Sequence, residues 1–68
     1  MIVCRNDYPS LSLLMWDLHT DTLDGEEALK IYETNWRYLN PHEVSAEEMA
    51  FIQTLADQYG GGHFCPMS

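Results

Sequence analysis

Between Ser45 and the run Gly60-Gly61-Gly62 the chain carries both the start and the stop of one helix. A serine at the first position can accept a hydrogen bond from a first-turn amide, and Glu48 completes a Ser-x-x-Glu capping box. Val44 precedes the cap and can pack on Met49 as a hydrophobic staple. Met49, Ile52, Leu55, Ala56 and Tyr59 then recur at helical spacing, with Phe51 beside them. Consecutive glycines end the pattern, because they readily adopt the left-handed backbone that terminates helices. The spacing predicts a helix at about 45–59.

The preceding segment reads the same way. Asp24 is a suitable N-cap, with Glu27 three residues on. Leu29, Tyr32, Trp36 and Leu39 form a stripe, and Glu26–Lys30 and Glu33–Arg37 are favourable pairs four residues apart. Asn40 and Pro41 stop it, so a helix is expected at about 25–39. The starts "LDGEEAL" and "VSAEEMA" look alike, but the stripes beyond them do not align, so shared cap chemistry explains the likeness. Upstream, Pro9 suits a first helical position, and Leu11, Leu14, Met15 and Leu18 fall on one face. A helix is expected at about 9–18, with a buried strand "LSLLMW" as the alternative reading of the same apolar run. Residues 1–7 are expected to form a short arm, because nothing obvious pairs with Ile2-Val3-Cys4. The tail after Gly62 is expected to be flexible, with Phe64 available to fold back onto the helices.

The resulting expectation is an all-α fold: one small domain over 1–68, a bundle of three short helices in an antiparallel or orthogonal arrangement. At 68 residues the core is marginal, so self-association is a reasonable expectation. Hydrophobic residues at 46% and aromatics at 12% nevertheless exclude a disordered segment. No segment reaches the ~18–20 apolar residues of a membrane span. The opening "MIVCRNDYPS" lacks the pattern of a secretory signal. Cys4 and Cys65 could join the two ends in a disulfide, but two cysteines do not make a secreted disulfide framework. Reduced thiols in a cytoplasmic protein are expected.

Two helices joined by "NPHEVS" raise the question of a helix-turn-helix DNA reader. A recognition helix must offer Arg, Lys, Asn or Gln to bases and meet phosphates at its flanks. Residues 45–59 contain no Lys or Arg, and their N-terminal end carries Glu47 and Glu48. The net charge of −8 repels phosphate backbones and anionic membranes alike. Neither direct nucleic-acid binding nor membrane binding is expected.

Other chemistry is sparse. Glu26, Glu27, Glu47 and Glu48 sit in first helical turns, where carboxylates suit the helix dipole. Asp17, Asp21 and Asp24 join Glu26 and Glu27 in an acidic corner, read first as solvated surface. Cys4, His19, His42, His63 and Cys65 have no metal-ligand spacing beyond His63-x-Cys65. The surviving metal reading needs Cys4 to meet His63 and Cys65; no metal or cofactor is expected. No nucleophile elbow, P-loop or HExxH occurs, and the triple glycine follows a helix instead of opening one. His19 beside Asp17 and Asp21 reads as a set of turn neighbours, so no catalytic residue is assigned.

The aromatics remain. Tyr32 and Trp36 share a face, Tyr38 points away from it, and Trp16 competes for the same small core. Aromatics and Met are enriched at protein interfaces. The sequence therefore suggests a small acidic non-enzymatic protein that acts by binding another protein or a second copy of itself. Trp16, Tyr32, Trp36 and Tyr38 are the candidate binding residues, with Asp21, Asp24 and Glu26 in the acidic corner. The alternative is an acidic inhibitor that mimics nucleic acid and occupies the site of a basic nucleic-acid-binding protein.

Overall fold

The segment expected to be an arm is a strand. The computed structural model describes residues 1–64, and within them β1 (Ile2–Cys4) pairs antiparallel with β2 (Thr22–Asp24). Val3 lies opposite Leu23, Ile2 opposite Asp24 and Cys4 opposite Thr22. The ladder runs one residue further at each end, as Arg5 N–H donates to the Asp21 carbonyl (3.0 Å) and Gly25 N–H to the Met1 carbonyl (2.8 Å). Alternation explains the pairing: Val3 and Leu23 turn inward and are buried, while their strand neighbours face water. The molecule is therefore mostly helical but not all-α, and the stretch read as a turn before Asp24 is half of a small sheet.

Three helices complete the fold: α1 (Pro9–Leu14), α2 (Gly25–Asn35) and α3 (Ala46–Tyr59), with 3-10 turns at Arg5–Asp7, Trp36–Tyr38 and Pro41–Glu43. Pro9 opens α1 as expected, but α1 ends four residues early. The cause is Arg5. One guanidinium nitrogen collects the carbonyls of Met15 (3.3 Å), Leu18 (2.8 Å) and Thr20 (3.2 Å). Those carbonyls turn toward Arg5 instead of along a helix axis, and the chain bends back to become β2. Likewise α2 gives way at Asn35, whose side-chain amide donates to the Ile31 carbonyl (3.0 Å), and the next residues tighten into the 3-10 turn.

The α2 and α3 helices lie antiparallel, since Gly25 at the start of α2 meets Leu55 and Tyr59 while Tyr32 reaches Glu48. A β-carbon at Gly25 would lie 2.9 Å from the Tyr59 ring, so the close approach of the two helices uses the missing side chain. Just past that same C-terminal end of α3, Gly61 and Gly62 take positive φ, and Gly62 N–H returns to the Ala56 carbonyl (2.9 Å). Ile52, Leu55 and Ala56 of α3 pack with Ala28, Leu29 and Tyr32 of α2, Leu11 of α1, Met15 just past its end, and the inward strand residues. Met49 and Tyr59, expected in the buried stripe, are 40% and 37% exposed. Glu48 takes the first-turn position on the buried face, and Val44 is buried just before the cap.

Candidate functional site

Glu48 was expected to answer Ser45 in a capping box, and half of that box forms. Ser45 Oγ accepts from Glu48 N–H (3.1 Å). The carboxylate turns inward and is 1% exposed. Its Oε1 accepts from Ser10 N–H (3.1 Å), and its Oε2 accepts from Leu11 N–H (3.0 Å) and the Tyr32 hydroxyl (2.7 Å). An acid on α3 thus caps the first turn of α1 and holds α2 through a phenol. Such a group is costly to bury without partners, and here every oxygen has one. Burial, reinforced by the hydrogen bond to Glu48, pushes the Tyr32 hydroxyl far above the ordinary tyrosine range. Burial and then Asp7 raise Tyr8, whose ring stacks on Phe51 at 3.9 Å between centroids. Tyr32 is fully enclosed, so its assignment as a binding residue is corrected: it is a core strut that no partner can reach.

The other aromatics divide. Trp36 is half-buried against the core, and Phe64 meets it edge-on at 5.0 Å, so the expected return of Phe64 is observed. Trp16 and Tyr38 are 79% and 67% exposed. They lie on one face with Leu13, itself 64% exposed, and these residues with Leu14 and Asn35 line a groove of about 610 Å³. A second, smaller hollow shares Leu13 and Tyr38 and extends along Pro9, Ser10, Leu39 and Asn40 to Glu43. The Arg37 guanidinium sits 5.1 Å over the Tyr38 ring. Trp16 lies just past the end of α1, about 140° around from Leu11 and so off the face that Leu11 and Met15 turn into the core, on the turn whose carbonyls Arg5 holds.

The acidic corner is exposed throughout, from Asp17 and Asp21 to Asp24, Glu26 and Glu27. Asp24 occupies the N-cap position of α2 without making a side-chain cap bond, and its carboxylate lies 3.7 Å from the Met1 ammonium. Among the described residues no three His, Cys, Asp or Glu side chains form a metal-holding group. Cys4 is an exposed free thiol, and Cys65, with any bond to Cys4 or shared metal, lies outside the described residues. No helix among the described residues is long and apolar enough to cross a membrane.

Sequence reasoning missed Leu13 and Asn35 in the groove, and Glu48 and Arg5 in the framework. Leu13 had left a trace, since it is the one leucine of the first apolar run outside the Leu11, Leu14, Met15, Leu18 stripe. No family model, no curated protein sequence and no solved structure matches this chain.

Proposed function

We propose that this chain is a non-enzymatic binding protein, and that it engages another protein through the face made by Leu13, Trp16 and Tyr38. One observation carries the reading: two of the large aromatics stay in water around a groove although the core beside them is filled. Exposed Trp and Tyr flanking a depression have the composition of interface anchors. The buried Glu48–Tyr32 pair offers no competing site, because neither group is open to a substrate. The acidic inhibitor is the second reading, favoured by the exposure of the whole corner from Asp17 to Glu27.

Affinity capture from nuclease-treated lysate separates the two. The protein carrying Trp16→Ala and Tyr38→Ala should lose the partner held by wild type, with an unchanged thermal melt. Neutralising Asp21, Asp24 and Glu26 should weaken binding only if the corner is the contact. A wild-type protein that stays monomeric on sizing and retains no partner would overturn the binding function.

A further inference from the structure

The groove also specifies the chemistry of its occupant. The geometry points to a short cationic amphipathic helix of another protein, with aliphatic side chains on one side and Lys or Arg on its flanks, as the segment that docks across Leu13, Trp16 and Tyr38. This inference rests on the binding role proposed above and names the partner class for that face.

Three observations converge on a cation. First, the groove is floored by Leu13 and Leu14 and flanked by exposed indole and phenol rings. Ring faces attract ammonium and guanidinium groups, Trp most strongly, and the long stems of Lys and Arg lie well on apolar surface. Arg37 already covers one face of the Tyr38 ring, so the 79% exposed Trp16 indole is the ring to which an incoming cation is assigned. Second, acceptors stand along the groove. Asn35 spends an amide hydrogen on Ile31, leaving its side-chain oxygen for an incoming donor. Glu43 lines the adjoining hollow, and exposed Asp17 follows Trp16 in the chain. Third, the charge of the whole chain is −8, with three Lys and Arg in all. One of these, Arg5, is bound to three carbonyls. A second copy would bring the same excess of negative charge to the face, whereas a basic segment is attracted to it.

The test uses two synthetic 14-residue helical peptides of identical Leu pattern, one with Lys at every polar position and one with Glu, and a Lys peptide with the Leu positions scrambled. Each is titrated into the 15N-labelled full chain. The amphipathic Lys peptide is expected to shift the Trp16 indole N–H and the Leu13 and Tyr38 amides, and to bind at least tenfold more tightly than the other two. Trp16→Ala, at an exposed position, should abolish that preference while leaving the amide spectrum of the core unchanged. Equal binding of the Lys and Glu peptides at the groove would overturn the cationic occupant and leave the binding face standing. So would a self-dimer whose shifts map to the groove. Shifts confined to Asp17–Glu27, matched by the scrambled peptide, would overturn the docking mode in favour of charge alone. Groove resonances unmoved by every peptide and by protein concentration would overturn both the occupant and the binding role of this face.

Discussion

The two most informative regions of this molecule exchange their usual contents. Between the three helices sits a carboxylate with a phenol, and on the surface sit a tryptophan, a tyrosine and a leucine. The difference shows what each side chain is held by. Glu48 is inside because it finds three donors there, two of them amides that the first turn of α1 leaves without helical partners. Trp16 is outside because it falls off the Leu11–Met15 face, on a turn that Arg5 holds by three carbonyls. Hydrogen bonds decide the first case and position around the helix the second, and hydrophobicity alone would assign both wrongly.

The sharpest way to break the comparison is to empty its polar half. Glu48→Ala strands two amides and a hydroxyl in the interior and should cost about 3–5 kcal/mol. That is a large part of the roughly 3–10 kcal/mol available to a chain of this size. Urea denaturation should show a fold lost or barely retained, and Glu48→Gln, which keeps the shape, should lose less. Retention of wild-type stability by Glu48→Ala would refute the assigned role.

Tyr32→Phe is the gentler probe and should cost about 1–2 kcal/mol, since the carboxylate keeps its amide donors. It also has a pH signature. The Tyr32 phenol is raised above the ordinary value of 10.0, so the folded state holds its proton more tightly than the unfolded chain does. Its contribution is complete below about pH 10 and is lost as pH rises beyond, by up to ~1.4 kcal/mol per pH unit. Tyr8 is raised as well and adds a slope of the same sign. Melts between pH 8 and 11 should therefore fall more steeply for wild type than for Tyr32→Phe.

Arg5→Ala tests the link between the two regions. Releasing three carbonyls should cost about 1–2 kcal/mol. It should also change the surroundings of Trp16, read as a changed emission maximum in a Trp36→Phe background. At the bottom of the scale, Trp16→Ala should alter stability by no more than ~0.5 kcal/mol, as for an exposed residue without structural partners. Trp36→Ala, half-buried on the core, should cost distinctly more, and equal melts for the two variants would erase the contrast between inside and outside aromatics.

Much of the framework was legible beforehand. Ser45 and the glycines mark α3 because cap chemistry is local, and Pro9 marks α1 for the same reason. Tyr38 was expected to point away from Tyr32, and it does, although the 3-10 turn Trp36–Tyr38 and not a continued helix carries it there. What escaped was non-local. A three-residue strand is too short to show a period, so the pairing of Val3 with Leu23 becomes visible only when both segments are in place. The capping box correctly identified Glu48, yet could not tell that its side chain serves a helix 38 positions away in the chain, at Ser10, instead of its own. For the candidate face, Trp16 and Tyr38 were legible as surplus aromatics, whereas Leu13 and Asn35 required the ends of α1 and α2 to be known.

The Glu48 bridge also sets how motions are shared. A six-residue helix standing alone should fray within nanoseconds to microseconds, and its amides should exchange with solvent almost freely. The Ser10 and Leu11 amides are instead closed by oxygens that belong to α3. Their exchange must wait for α3 to lift away, so these two positions should share the opening free energy of Ile52 and Leu55 as one cooperative unit. The smallest helix in the molecule then reports, by isotope exchange, on the opening of the largest.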